Sequence, residues 1–320
     1  MLTHFTAPSA PFRAPNVPLP AIEAIFYKFG PTPRLCFGTE RLLIEYQANL
    51  DEALEGLSLA YLESLTSRNR LALDAVSEKI YMLRRSSIDV DSVLVYIQPI
   101  SPFIASKVVR RMRALKCHEL VGLFKRYNAL PSTRGMSGDV FEAYCHITFS
   151  VGIEFDCVPM VRIGGHPTVR EKRMAEWFSS HTEFSGSVVL EGLRASTLAS
   201  GTYLEVFPSR VVDFDSNEIA GGLHIEADVY YVPIKSNLAG IDSFILHDKT
   251  LYLLQMTVSD THSISDKLWP FLVSLKGLPP NRNWRFIFVK PPGKILACPV
   301  PRSAELWDLN LYSTELEMTY

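Results

Sequence analysis

The sequence predicts an α/β protein in which a helical N-terminal region precedes a domain with a mixed central sheet flanked by helices. Apolar residues recur at spacings of three and four in the first half, at Leu54, Leu57, Tyr61 and Leu65, as on one face of a helix. The C-terminal part changes to short apolar runs that are typical of strands. Its elements follow the order helix, strands, helix, strand, which favours a layered α/β architecture.

Each element is predicted from local periodicity and from turn residues. The predicted helices are Leu50 to Arg84, Phe103 to Tyr127, Gly138 to Val151 and Ser265 to Leu275. The predicted strands are Ser92 to Pro99, Val188 to Leu193, Tyr203 to Phe207, Leu223 to Val232, Ile241 to Leu246, Leu251 to Val258 and Trp284 to Val289. A tight turn at His247-Asp248-Lys249 joins two of these strands as an antiparallel hairpin, and Asp213 to Gly222 is predicted to be a loop.

The chain is predicted to have three segments. Five prolines in the first twenty residues predict an extended arm over 1–20, because proline at this density sustains neither a helix nor a central strand. The stretch Leu130 to Gly135 resembles a linker, which places a boundary between a mostly helical region, 21–134, and a second domain, 135–320.

Composition limits the class of protein. With 320 residues, 47% of them hydrophobic, the chain can bury a large core, and a formal charge of -2 means that any phosphate-binding surface must be local. The five cysteines lie far apart and form no C-x-x-C pair, which favours a reduced intracellular protein, nuclear or cytoplasmic. The proline-rich start contains no apolar run of the kind that a signal peptide needs, and no 18-residue apolar stretch predicts a membrane span.

One predicted helix is strongly basic. Within Phe103 to Tyr127, the side chains of Lys107, Arg110 and Arg111 form one stripe at 3.6 residues per turn, whereas Arg113 lies off it. Clustered Lys and Arg supply sequence-independent affinity for nucleic acid by neutralising phosphates, so this stripe is a candidate nucleic-acid-binding surface. The alternative is an ordinary solvated helix face.

A second group of polar residues lies in the predicted hairpin. Asp242 opens one strand, and Gln255 and Thr257 share a face of the next because side chains alternate with period two. A carboxylate among buried apolar neighbours is costly unless it is paired or binds a metal. The alternative is that the Asp caps a turn while the Gln and Thr satisfy each other.

The stretch from Tyr231 to Phe244, with NLAGIDSF, and the stretch from Leu251 to His262, LYLLQMTVSDTH, resemble the nuclease module of Crinkler and retrotransposon hot spot (RHS) type proteins. That module belongs to the PD-(D/E)XK restriction-endonuclease-like superfamily, so the resemblance implies a restriction-endonuclease-like domain. Phe29 to Arg34 resembles the end of the family's ATPase module. Because no G-x-x-x-x-G-K-[ST] loop is present, we expect no ATPase activity.

The resemblance also implies the members of an active site. Its catalytic residues would be Asp242, Gln255, Thr257, Glu142 and His262, and its metal ligands would be Asp242, Gln255, Met256 and Glu142. Gln255 occupies the position of the second acidic residue in the superfamily's motif, and Thr257 occupies the position of its lysine. His262 could replace that lysine, although a turn or capping role is an alternative. His146 follows Glu142 by four residues and therefore lies on the same helical face, where it could pair with the glutamate or pack against the sheet.

The function implied is that of a Mg²⁺- or Mn²⁺-dependent DNA endonuclease, with nucleic acid as the partner and no membrane association. The alternative is a catalytically degenerate nuclease-like domain that binds nucleic acid or a protein without cleaving it, because Gln255 contributes no charge and Thr257 cannot act as a cation. A protein partner or a second copy of the chain is compatible with either hypothesis.

Overall fold

The computed structural model describes residues 18–66, 77–85, 95–163, 193–196, 202–234, 238–294, 296–299, 301 and 303–319. The helices are α1 (Leu19–Phe29), α2 (Pro33–Cys36), α3 (Glu40–Glu55), α4 (Leu59–Ser64), α5 (Ser77–Ile80), α6 (Pro102–Met112), α7 (Cys117–Ala129), α8 (Arg134–Val151), α9 (Ser216–Ala220) and α10 (Leu268–Ser274). The strands are β1 (Tyr81–Arg85), β2 (Val95–Pro99), β3 (Ile153–Ile163), β4 (Leu193–Ser196), β5 (Thr202–Val206), β6 (Arg210–Phe214), β7 (Val229–Pro233), β8 (Ser243–His247), β9 (Thr250–Met256), β10 (Trp284–Lys290), β11 (Ala297–Pro299) and β12 (Asn310–Glu315).

Most of these strands form one mixed sheet in the order β11-β4-β3-β12-β10-β9-β8-β7-β6, with β5 paired to β3. At its centre β7, β8 and β9 are antiparallel neighbours, whereas β10 is parallel to β9 and is reached through the crossover that contains α10. The sheet follows a helical N-terminal region with a small hairpin of β1 and β2. The predicted α/β class is therefore confirmed.

Helices cover both faces of the central strands, which explains why these strands are apolar throughout. Along β9, Leu254 and Met256 pack in the cluster that contains α8, while Leu251 and Leu253 pack in the cluster that contains α10. The predicted turn between β8 and β9 is present, and Asp248 (φ 46°) and Lys249 (φ 61°) both adopt the left-handed conformation that a two-residue hairpin requires.

Two of the predicted helices are too long. Leu50 to Arg84 is not one helix: α3 ends at Glu55, Ser58 caps a new helix by accepting the N–H of Tyr61, and Tyr81–Arg85 is a strand paired with β2. Positions 67–76 lie outside the described residues. Phe103 to Tyr127 is likewise split, because the carboxylate of Glu119 accepts the N–H of Lys116 and starts α7 there. The apolar spacing continues across each break because the helices before and after it bury residues in the same cluster.

Two other predictions fail next to the site described below. The predicted loop Asp213 to Gly222 contains the end of β6 and helix α9, whose start is closed by reciprocal bonds between Asp215 and Glu218. The predicted alternating strand Leu223 to Val232 is shorter, because Asp228 has a φ of 57° and β7 begins only after it. All residues of β7 are buried, so the alternation of apolar and polar residues over Leu223 to Val232 does not mark a strand with one exposed face.

The arm and the linker differ in detail from prediction. Positions 1–17 of the predicted arm lie outside the described residues, and α1 begins at Leu19, with Pro20 in the first turn, where its missing N–H costs nothing. Of the predicted strand Val188 to Leu193, only Leu193 lies within the described residues. One cluster of buried side chains runs from α1 through α8 into the sheet, and the boundary at 135 stays a prediction. Within the described segments, no helix is long and apolar enough to cross a membrane.

Candidate active site

Asp242 lies at the start of β8, and the chain enters this position through left-handed residues. Ala239 has a φ of 59° and Gly240 a φ of 76°, and a Cβ on Gly240 would come within 2.5 Å of Ser265. The side chain of Asp242 is buried, and its Oδ2 accepts two hydrogen bonds, from the backbone N–H of Met256 (2.7 Å) and from Nε2 of Gln255 (2.7 Å). The predicted juxtaposition of Asp242 and Gln255 is therefore present.

Gln255 uses only part of its hydrogen-bonding capacity. Its Nε2 donates to Asp242, but its Oε1 is buried and has no partner among the described residues. A buried acceptor without a donor costs about 1–3 kcal/mol, so this oxygen is a place where an ion, a water or a ligand would be stabilising. Gln255 thus offers a free oxygen next to a carboxylate.

Glu142 and His146 approach the same region from α8. They lie on one face of the helix at i and i+4, and His146 Nε2 is 3.6 Å from Glu142 Oε1. On its other side His146 Nδ1 is 2.9 Å from the hydroxyl of Tyr230, which donates to Oγ of Ser243 at 2.8 Å. Since the phenol proton goes to the serine, Nδ1 must carry the proton that His146 donates, and Nε2 is left as an acceptor. Burial lowers the pKa of His146 to about 3, with the charge of Arg113 adding to the effect, so the ring is neutral at pH 7.

Two carboxyl groups, those of Asp242 and Glu142, line this region together. Burial raises the pKa of Asp242 well above its ordinary value, and the charge of Glu142 adds to the effect, while the bonds from Met256 and Gln255 oppose it. Burial also raises the pKa of Glu142 to about 7, with the guanidinium of Arg113 acting against it. Two acids with raised pKa values in one place hold a proton or bind a cation, because both cannot be charged there without a counter-ion.

A narrow cleft connects these groups with the end of helix α6. It is lined by residues of α6, α8, the ends of β6 and β7, and Asp242. Its interior of about 20 Å³ has room for one water or one ion, not for a nucleotide, so a larger substrate would have to bind at its mouth. Arg110 and Arg113 of α6 lie on one side of the cleft and both contact Asp213, at 2.9 and 3.5 Å.

Several predicted site residues have other partners. Thr257 is buried and its hydroxyl accepts the N–H of Ser259. His262 packs its ring near Phe288, and its Nδ1 lies 3.1 Å from the carbonyl of Ser263; burial lowers the pKa of His262.

Two residues of the predicted basic stripe have partners within the protein, and a role of the stripe in binding nucleic acid stays a prediction. Lys107 lies over the ring of Phe103, 5.4 Å from its centre, and Arg111 donates to the carbonyl of Glu55 at 3.0 Å. Of the stripe, only Arg110 lines the cleft, and it is joined there by Arg113, which the helical spacing placed off the stripe.

Sequence reasoning missed four residues of this region: Arg113, Asp213, Tyr230 and Ser243. Asp213 was predicted to lie in a loop, and Tyr230 in a strand without a role in the site. The pattern YYV within a run of apolar residues could have indicated a strand covered on both faces, which would have placed the Tyr230 hydroxyl in the core, where it needs a partner.

The residues present suit a hard cation in their chemistry: two carboxylates and a free amide oxygen. Among the residues that the structure describes, however, no three of the types His, Cys, Asp and Glu are grouped closely enough to hold a metal ion by themselves. The amide oxygen of Gln255 would therefore have to complete the ligand set. Comparison with protein-family models, with curated proteins and with solved structures finds no match for this chain.

Proposed function

We propose that this protein is a metal-dependent endonuclease that hydrolyses phosphodiester bonds of DNA and is related to the nuclease module of Crinkler and RHS type proteins. The observation that carries the proposal is the buried Asp242 carboxylate, which lines the same cleft as Glu142 and accepts a hydrogen bond from a glutamine whose side-chain oxygen has no partner among the described residues. The consecutive elements β7, β8, β9, α10 and β10 support it, because α8 packs on β9 and the superfamily core has the order helix, strands, helix, strand; in this chain β3 to β6 and α9 are inserted between α8 and β7.

Asp242, Glu142 and the Oε1 of Gln255 would hold the ion, Mg²⁺ or Mn²⁺. When bound, it would polarise the phosphate and lower the pKa of a water molecule. Burial raises the pKa of Glu142 to about 7 in the absence of an ion, and the charge of a bound ion would keep this carboxylate ionised as a ligand. The neutral His146 is fixed by Tyr230 and, with a pKa lowered to about 3, is a poor base.

The experiment compares plasmid nicking by three purified proteins in Mg²⁺ or Mn²⁺: the wild type, Asp242→Asn and Asp308→Asn. Asp308 is exposed, so its substitution is a matched control for the same change in charge. We expect nicking by the wild type and the control and at least about a hundredfold less by Asp242→Asn, as for loss of a group that stabilises the transition state. Equal nicking by all three proteins, or by none, would overturn the proposal.

The second candidate is a nuclease-like domain that binds nucleic acid without cleaving it. It is favoured by one observation, the absence of a group of three charged or imidazole ligands within the described residues. Thermal melting separates the two candidates, because an ion that binds only the folded state stabilises it by about 2.7 kcal/mol at one hundred times its Kd. A metal-dependent rise in Tm in the wild type, absent from Asp242→Asn, favours the nuclease; no rise in either favours the binding module.

A further inference from the structure

Two arginines at the end of α6 share one carboxylate. Arg110 and Arg113 lie three residues apart and so project from the same side of the helix, and Nη2 of Arg110 and Nη1 of Arg113 contact different oxygens of Asp213, at 2.9 and 3.5 Å. The side chain of Arg110 is 54% exposed, that of Asp213 27% and that of Arg113 21%. An oxyanion is thus held between two guanidinium groups at a position that solvent reaches.

This pair is adjacent to the proposed catalytic groups. Arg113 lines the same cleft as Glu142, His146 and Asp242, and its charge acts on the first two. A phosphate bound by both arginines would therefore lie at the mouth of the cleft that contains the carboxyl pair. A guanidinium group donates paired hydrogen bonds to two oxygens of a phosphate as it does to the two oxygens of a carboxylate, so either anion fits between these arginines.

We propose that Arg110 and Arg113 bind one phosphate group of the nucleic-acid backbone, and that Asp213 occupies this site in the free protein as an intramolecular competitor. The proposal rests on the proposed function for the identity of the phosphate. The competitor is easily displaced, because a partly exposed ion pair adds little stability and the second contact is long. Binding of substrate then exchanges one anion for another and leaves no arginine unpaired.

The test measures binding of a fluorescent DNA duplex in EDTA, so that no metal and no cleavage are required. Asp213→Asn removes the competitor, and Glu226→Gln is its matched control, since Glu226 pairs with Arg210 at 2.7 Å and that pair is more than half exposed. We expect Asp213→Asn to tighten binding about three- to tenfold and Glu226→Gln to change it less than about twofold. Arg113→Gln should weaken binding and reduce the salt slope by about one unit, because one phosphate contact is lost.

Equal affinities of Asp213→Asn and Glu226→Gln, or an unchanged salt slope in Arg113→Gln, would overturn the proposal. Inorganic phosphate serves as a second probe of the wild type and Asp213→Asn by thermal melting. If phosphate stabilises Asp213→Asn more than the wild type while DNA affinity does not change, the site binds free phosphate and the backbone assignment is wrong. Failure of the nicking assay with the expected binding results would remove the proposed catalysis and leave this binding site standing.

Discussion

Replacing Tyr230 by phenylalanine tests whether the buried polar chain next to the site is a structural unit. The hydroxyl of Tyr230 is bonded both to His146 Nδ1 (2.9 Å) and to Ser243 Oγ (2.8 Å), and both partners are buried. Phenylalanine keeps the ring, which stacks on Phe149, but leaves a donor and an acceptor without a partner. Each such group costs about 1–3 kcal/mol, so for the two groups together we expect Tyr230→Phe to lower the free energy of unfolding by about 2–6 kcal/mol.

The neighbouring Tyr231 provides a control with the same chemical change. Its hydroxyl accepts the N–H of Glu226 at 2.9 Å, close to solvent, so that water can replace it and the loss should stay below about 1 kcal/mol. Urea denaturation of the wild type, Tyr230→Phe, Tyr231→Phe, Ser243→Ala and Tyr230→Phe/Ser243→Ala measures the five free energies of unfolding. The reasoning is refuted if the two phenylalanine variants are equally stable. The double variant should cost less than the sum of its parts, because the serine has already lost its donor.

Three further outcomes follow from the structure. In the absence of divalent metal, Glu142 keeps its proton in the folded protein up to about pH 7, whereas the unfolded chain loses it near pH 4.5. The free energy of unfolding should therefore fall as pH rises through this window. Thermal melts should show a different dependence of Tm on pH for the wild type and for Glu142→Gln in this range. Gly240→Ala should lower the free energy of unfolding by about 1 kcal/mol or more, because Gly240 has a positive φ. Gly122→Ala should raise it by about 0.5–1 kcal/mol, because Gly122 lies in a helix and a Cβ there would meet open space. Urea denaturation measures both changes. Iodoacetamide at pH 8 should label the exposed Cys117 and spare Cys157, whose pKa burial raises to about 12; mass spectrometry that finds equal labelling would contradict the structure.

The part of the fold that sequence predicts best is the centre of the sheet. Strands β8, β9 and β10 are continuous apolar runs, and their hairpin contains a turn whose residues tolerate left-handed backbone, so local pattern and tertiary environment agree. For the same reason Asp242 and Gln255 could be placed together, since cross-strand neighbours follow from register. Strand β3 was missed because its partners, β5 and β12, are remote in sequence and it contains Pro159.

The part of the site that sequence could not predict depends on contacts between distant elements. Asp213 meets Arg110 and Arg113 only because β6 joins the sheet beside β7 and so ends next to α6, about one hundred residues away in the chain. Arg113 was ranked below Arg111, although it follows Arg110 by three residues and so lies on the same side of the helix. Which element faces that side of the helix cannot be read from periodicity. The register of a hairpin is determined by residues that are close together in the sequence, whereas the position of a sheet edge relative to a helix depends on elements that are far apart in the sequence.

The burial of α8 has a consequence for how the cleft can adapt. Nine of its eighteen residues are buried, and it packs against α6, α7 and β9, so the backbone that carries Glu142 and His146 is held by contacts with three elements. The facing wall ends in the long, partly exposed side chains of Arg110 and Arg113, which can reorient without any movement of backbone. The cleft is therefore bounded on one side by a well-packed helix, which fixes the positions of Glu142 and His146, and on the other by two arginine side chains that can adjust to the shape of a ligand. Substitutions at Arg110 and Arg113 should therefore change ligand specificity with little effect on the fold, whereas substitutions on α8 should also disturb the core.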